Sequence, residues 1–123
     1  MDTQTAGTVR ASGVADHWRV SLETARRLLN EAGVTPVNGS GWNRYSWRDI
    51  WRMEGVRYVP SHDYAAYKAP LLRTHDVVRL DPAGRSERTI RRLMAQGDIP
   101  VIFLSRTLRR MREVEVERAM ENV

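Results

Sequence analysis

Two short segments each contain a pair of adjacent arginines, and several residues around the pair are the same in both. Residues 21–29 read SLETARRLL and residues 86–94 read SERTIRRLM, and five of these nine positions are identical. A guanidinium group is always charged and presents five N–H donors in a planar fork that matches phosphate and carboxylate oxygens. The chemistry indicated by these segments is therefore the binding of an anionic partner.

Each arginine pair requires a helix to hold it. Ser21 and Ser86 stand where an N-cap is expected, and Gly33 and Gly97 stand where a helix stops. Helical spacing predicts a buried apolar stripe made of Ala25, Leu28, Leu29 and Ala32 in the first copy, and of Ile90, Leu93 and Met94 in the second. The opposite, exposed faces then hold Glu23, Arg26, Arg27 and Asn30, or Arg88, Arg91, Arg92 and Ala95.

The similarity continues beyond the two helices. In both copies a Gly is followed three residues later by Pro-Val, and each copy closes with a short helical pattern. We therefore divide the chain into a first unit at about 8–55, a connector at 56–70 and a second unit at 71–123. The connector carries two Pro and three Tyr, and its tyrosines are expected to pack between the units. Trp47 and Trp51 are spaced i, i+4 in the first closing helix, which predicts that they belong to a core.

The charge of the chain is concentrated in one stretch. The 123 residues have a net charge of +5, and all but one of the twenty Lys and Arg are Arg. Residues 82–112 hold eight Arg against two acids, whereas residues 113–123 hold four Glu against one Arg. This distribution favours a surface that faces a polyanion, followed by an acidic helix that serves as a packing or dimer surface.

Several classes of function have little support. The chain has no Cys, which excludes disulfides and thiolate metal sites. It also has no Gly-rich phosphate loop, and His17, His62 and His75 lie far apart without acids at ligand spacing. We predict a protein that is not an enzyme and has no cofactor or metal. Neither a membrane span nor a signal peptide is evident, so a cytoplasmic location is expected.

A short helix, a turn and a helix that opens with Ser-x-x-Thr-x-Arg-Arg-Leu resemble a helix-turn-helix. With the Gly and Pro-Val exit, a small wing and a closing helix, the pattern resembles the excisionase-like and MerR-type winged helix-turn-helix family, in two tandem copies. The resemblance implies a mainly α fold with small β-wings. In the first copy it places a helix at about 13–18, a turn at Arg19-Val20 and a wing turn at NGSG (38–41). In the second copy Thr74 is the expected N-cap of the first helix. The turn DPAG (81–84) is longer than is usual in the family, and the wing IFLSRT lacks a Gly-rich tip.

The resemblance also implies the partner and the residues that contact it. The partner is double-stranded DNA, which places the protein at the nucleoid, and a second copy of the chain or an integrase is a further candidate. The helix contacts are assigned to Ser21, Glu23, Thr24, Arg26, Arg27, Ser86, Arg88, Thr89, Arg91 and Arg92. The wing contacts are assigned to Asn38, Ser40, Asn43, Arg44, Ser105, Arg106, Arg109 and Arg110.

Several roles remain open at this point. The family implies a phage or mobile-element excisionase, which is a recombination directionality factor, or a transcriptional regulator built on the same domain. A small terminase-like component of DNA packaging or assembly is an alternative, although the long coiled-coil segment typical of that class is missing. A protein-interaction module with an incidental arginine surface is a further alternative.

The two copies differ where Glu23 corresponds to Arg88, and we expect unit two to dominate affinity. Arg88→Ala should therefore weaken duplex binding more than Glu23→Ala does, because only the first change removes a cation from the surface that faces phosphate. A binding titration on one duplex at fixed salt measures both losses. Equal losses for the two variants would contradict the expected asymmetry.

Overall fold

The structure, a computed structural model, describes residues 5–37 and 43–123 of the chain. These residues are mainly helical with two small antiparallel sheets. The prediction of a mainly α fold with small β elements is therefore confirmed. They divide into two compact units, Met1–Pro70 and Leu71–Val123. Each unit is described below by itself.

Unit one contains two short strands and four α-helices within its described residues. They are β1 (Thr8–Arg10), α1 (Ala11–Trp18), α2 (Leu22–Glu31), β2 (Arg44–Ser46), α3 (Trp47–Met53) and α4 (Tyr64–Lys68), the last preceded by a 3₁₀ turn at Ser61–Asp63. The predicted turn between the first two helices is confirmed, because Arg19 ends α1 in the left-handed conformation at φ 54°. There the N–H of Val20 donates to the Ala15 carbonyl at 3.0 Å.

Unit two contains three α-helices and a small hairpin. They are α5 (Thr74–Leu80), α6 (Glu87–Ala95), β3 (Ile102–Phe103), β4 (Arg109–Arg110) and α7 (Glu113–Glu121). The expectation that Thr74 caps α5 is wrong, because Thr74 is the first residue of the helix. The cap is Arg73, whose backbone N–H donates to the Asp76 carboxylate at 2.9 Å. The Asp76 carboxylate therefore accepts a backbone N–H at the start of the helix, which is the kind of hydrogen bond that a cap side chain otherwise accepts.

The two repeated helices begin and end as predicted. The Oγ of Ser21 accepts the backbone N–H of Thr24 at 3.1 Å, and the Oγ of Ser86 accepts that of Thr89 at 3.2 Å. Gly33 and Gly97 follow the helices at φ 70° and 82°, a region that favours glycine. The next N–H in each copy donates back to a helix carbonyl, from Val34 to Leu29 at 3.0 Å and from Asp98 to Leu93 at 2.9 Å. Both helices therefore have the same start and the same stop.

The apolar stripes of these helices enter the cores. Ala25, Leu28 and Leu29 of α2 are buried, and so are Ile90 and Met94 of α6, while Leu93 is partly buried. Ala32 is exposed instead, because α2 ends at Glu31 and the chain turns away there. Unit one adds Val14, Trp18, Trp47, Ile50 and Trp51 to its core, so the prediction for the two α3 tryptophans is confirmed. Unit two adds Leu72, Val77, Ile99, Met111 and Val116.

In both units the segment before the first helix pairs with the segment before a later helix, which is α3 in unit one and α7 in unit two. In unit one β1 runs antiparallel to β2, with Val9 opposite Tyr45. In unit two Leu72 and Met111 exchange two backbone hydrogen bonds of 2.7 and 2.9 Å. We name this feature the closing pair. It joins two segments of each unit that are separated in sequence by the helices between them.

The predicted wing of unit one is only partly present in the described residues. Residues 34–37 form no strand, and the Val37 N–H donates to the Arg44 carbonyl at 2.8 Å. Pro36 has no N–H to donate, which prevents a regular strand there. Strand β2 pairs with β1 instead. The NGSG turn itself lies outside the described residues.

Residues 56–70 fold within unit one. Trp51 donates its indole N–H to the Tyr67 carbonyl at 3.1 Å, and its ring lies 5.5 Å from that of Tyr64. Val59 is buried in the same unit. The segment interpreted from sequence as a connector is therefore an arm that covers α3.

A buried polar cluster fastens this arm to α1. The Nδ1 of His17 lies 3.0 Å from the Lys68 carbonyl, and its Nε2 lies 2.7 Å from the Glu54 carboxylate. The same carboxylate oxygen accepts the indole N–H of Trp18 at 2.8 Å. Because a carbonyl oxygen only accepts, Nδ1 is the donor in the contact with Lys68. Each of these buried groups is thereby satisfied.

A glycine permits the close approach of β1 to α1. A Cβ added at Gly13 would lie 2.5 Å from the Cγ2 of Val9, whose β-branched side chain is stiff. Gly13→Ala should therefore destabilise unit one by about 1 kcal/mol, because the overlap outweighs the roughly 1 kcal/mol that alanine normally gains in a helix. Urea unfolding followed by tryptophan fluorescence measures this, since all four Trp lie in residues 1–70. In a Val9→Ala background the same change should stabilise; stabilisation in both backgrounds would contradict the close approach.

Candidate nucleic-acid interface

The helix faces predicted to carry the site are exposed in both units. Glu23, Arg26 and Arg27 on α2, and Arg88, Arg91 and Arg92 on α6, all lie on the solvent side opposite the buried stripes. The faces are built alike because the cap and the stop of each helix are alike. What differs between them is the set of charges.

The capping hydroxyls also form a pair at each helix start. The Oγ of Ser21 donates to the Oγ1 of Thr24 at 2.9 Å, which leaves the Thr24 hydroxyl hydrogen available to an acceptor outside the helix. The oxygens of Ser86 and Thr89 lie 3.1 Å apart, and either hydroxyl can be the donor. Each of these two pairs of predicted site residues thus stabilises its own helix. Each pair also places a hydroxyl donor at the helix N-terminus, where the helix dipole favours an anion.

Arg26 and Arg27 of α2 have different surroundings. Arg27 forms an ion pair with Glu31 at 3.0 Å, in which both side chains are more than half exposed. Exposed pairs of this kind contribute little and exchange readily for another partner. The side chain of Arg26 has no hydrogen bond or ion pair to any residue in 5–37 or 43–123. It lines a groove of about 380 Å³ together with Asn43 and Tyr45, so the structure brings a predicted helix residue and a predicted wing residue to one place.

The arginines of α6 are less neutralised. Arg91 pairs with Glu87 at 3.4 Å, again between exposed side chains. Arg88 and Arg92 are exposed, and their side chains form no hydrogen bond or ion pair with a residue of the described chain. The charges within α6, one Glu and three Arg, sum to +2, whereas two Glu and two Arg cancel within α2.

The wing of unit one holds one arginine in a structural role. The Nε of Arg44 donates to the hydroxyl of Thr8 at 2.7 Å, and one terminal nitrogen donates to the Thr8 carbonyl at 3.1 Å. Arg44 therefore fastens β2 to β1. Asn43 is exposed beside it. Asn38 and Ser40, which were also assigned to this wing, lie outside the described residues.

The wing of unit two is a short hairpin. In it β3 and β4 pair antiparallel, with Phe103 opposite Arg109. The Oγ of Ser105 accepts the Leu108 N–H at 3.2 Å, so this predicted site residue organises the tip. Arg106 is exposed at the tip and Arg109 is exposed on the strand. Arg110 is half-buried and donates to the carbonyl of Arg109 at 2.7 Å.

Two arginines of the basic stretch point inward. Arg112 is 1% exposed and lies 3.4 Å from the Glu115 carboxylate. Arg85 donates to the Asp81 carboxylate at 2.6 Å and to the Val123 carbonyl at 2.9 Å. Sequence alone did not separate these from the exposed arginines, because the separation depends on partners that the fold brings near. The basic surface is therefore smaller than the charge count indicates.

The long turn before α6 is organised by Asp81. Its buried carboxylate accepts the backbone N–H groups of Ala83 at 3.1 Å and Arg85 at 2.8 Å, besides the Arg85 guanidinium. Burial alone would raise the pKa of this carboxyl, but those hydrogen bonds and the guanidinium charge outweigh it, and the pKa lies below its usual 3.8. Asp81 thus positions the chain that leads into Ser86 and α6.

Comparison with known proteins gives no matching family model, no matching curated protein and no matching solved structure. Among the helices of the described chain, none is long and apolar enough to cross a membrane. Nor do the described residues bring three or more His, Cys, Asp or Glu together in a group that could hold a metal ion.

Asp81→Asn should destabilise the chain by about 2 kcal/mol at neutral pH, because a buried, charge-assisted set of hydrogen bonds is weakened. Since the folded pKa is depressed, the contribution is present above about pH 4 and is lost as pH falls through the folded pKa. Urea unfolding followed by circular dichroism from neutral to acid pH should show the two proteins converging. Asp98→Asn at an exposed position is the matched control; an equal effect there, or a gap that does not narrow in acid, would contradict this role.

Proposed function

We propose that this chain binds double-stranded DNA through two winged helix-turn-helix units, with α2 and α6 as the recognition helices. The observation that carries the proposal is the repeated helix itself. Two helices share a serine cap, a hydroxyl pair and a glycine stop, and each presents arginines on the face opposite its buried stripe.

The geometry of each helix start suits a duplex. The major groove accepts an α-helix whose first residues meet base edges while nearby donors bind phosphate. Thr24 and Thr89 supply hydroxyls at the helix starts. Arg92, three residues after Thr89, extends from the same side of α6, and Arg26 extends from the exposed surface of α2. In unit two, the tip arginine Arg106 is the candidate contact to the neighbouring groove or backbone.

The two units are proposed to contribute unequally. In unit two, Arg88, Arg92, Arg106 and Arg109 are exposed without a side-chain partner among the described residues, whereas in unit one Arg26 is the corresponding case on the predicted site. Nonspecific affinity for DNA comes from cations that release counterions from phosphates. Unit two therefore supplies most of the affinity, and unit one adds length and selectivity to the site.

The biological role that we propose is that of a recombination directionality factor or a transcriptional regulator of a phage or mobile element. In both roles the protein binds duplex DNA in the same way, but at different loci. A footprint on the DNA that flanks its own gene separates them, because protection at an attachment site favours the first role and protection at a promoter favours the second. The protected length also tells whether one unit or both units touch the duplex.

Arg106→Ala should weaken binding and lower the slope of log affinity against log salt by about one, because one phosphate contact is lost. Titration of a 30-base-pair duplex over a series of salt concentrations measures both quantities. The matched control is Arg118→Ala, which removes an exposed arginine from α7. Equal slopes for Arg106→Ala and wild type would show that the wing does not contact DNA. Failure of the wild type to bind any duplex at low salt would reject the proposed function.

A further inference from the structure

We propose that Glu23 and Arg88 are matched specificity-determining residues, with Glu23 selecting a base that offers an amino group and Arg88 selecting guanine. This inference rests on the proposed binding of duplex DNA by α2 and α6. It adds which chemical edge of the DNA each unit recognises.

The two residues occupy the same place in the two helices. The caps before them have the same backbone conformation, with φ −68° and ψ 156° at Ser21 and φ −68° and ψ 159° at Ser86. Each serine accepts the N–H of the threonine three residues on. Glu23 and Arg88 are then the second residue of their helices, so their side chains leave the first turn in equivalent directions. Both are exposed.

The chemistry at this position differs completely between the units. A carboxylate only accepts hydrogen bonds, and phosphate oxygens repel it. In the major groove the donors are the amino groups of cytosine and adenine, and Glu pairs with the cytosine amino group. The carboxylate of Glu23 forms no hydrogen bond or ion pair with another residue of the described chain. Arg26, one turn further on, is available to bind the phosphate that Glu23 cannot.

Arg88 has the opposite preference. Its guanidinium fork matches the O6 and N7 acceptors of guanine, which is the commonest specific contact between a side chain and a base. Neither Glu87 nor Glu115 neutralises it, since the first pairs with Arg91 and the second lies by Arg112. Arg92, one turn further on, is the candidate phosphate contact in this unit. The two helices therefore present complementary edges to DNA at equivalent positions.

Helix stability offers a simpler role for Glu23, because an acid in the first turn interacts favourably with the helix dipole. In α6 this requirement is met by Glu87, and the next position carries Arg88. A role limited to the helix would change stability and leave base preference unchanged. Base preference is therefore the measurement that separates the two roles.

The experiment selects bound duplexes from a randomised pool with the full chain, at one salt concentration, and sequences them. Wild type should select a C·G pair at two positions. Glu23→Gln should shift one position toward A·T, because Gln pairs with adenine, and Arg88→Gln should shift the other position in the same way. Each shift should change the ratio of preferred to replaced base about tenfold. Glu23→Arg should exchange which strand carries the guanine at the first position.

Glu117→Gln is the matched control, since it removes the same charge from an exposed position on α7. It should leave both preferences unchanged. The inference is overturned if wild type binds duplexes without preference, if Glu23→Gln leaves every preference unchanged, or if the control shifts them equally. Failure of wild type to bind any duplex at low salt would instead overturn the proposed function itself, and with it this inference.

Discussion

Each unit depends on the backbone pairing that joins its first segment to the segment before a later helix, α3 in unit one and α7 in unit two. Leu72 and Met111 make this pairing in unit two with two short hydrogen bonds, and both side chains are buried beside the stripe of α6. In unit one β1 and β2 make the same connection over three residue pairs. A unit of this size buries little apolar surface, and no disulfide holds it. Closing the chain on itself therefore limits the positions that the repeated helix can take.

That helix has two faces with separate tasks. The stripe of Ile90 and Met94 is fixed by packing, and so the positions between them, Arg91 and Arg92, must face solvent. A change in the stripe would move the arginines as well as weaken the core. The capping serine couples the same two tasks, since its hydroxyl closes the helix start and holds the threonine that follows.

Local features were predictable from sequence and distant partners were not. The caps, the glycine stops, the stripes and the buried Trp47 and Trp51 follow from residue type and helical spacing, which act over a few residues. The closing pair joins residues that are far apart in sequence and have no signature of their own. For the same reason Arg44, Arg85 and Arg112 could not be told from the exposed arginines, because each is held by a partner that only the fold brings near. The arm at 56–70 was expected between the units, yet Tyr64 and Tyr67 cover Trp51 of unit one.

The buried cluster around His17 determines where unit one ends as a folding unit. The imidazole needs the Lys68 carbonyl on one side and the Glu54 carboxylate on the other, and Trp51 needs the Tyr67 carbonyl. A fragment cut at Gly55, where the sequence repeat ends, would leave two buried donors without acceptors. A fragment that keeps these hydrogen bonds therefore extends at least to Lys68, and the repeated sequence motif is shorter than the structure that supports it.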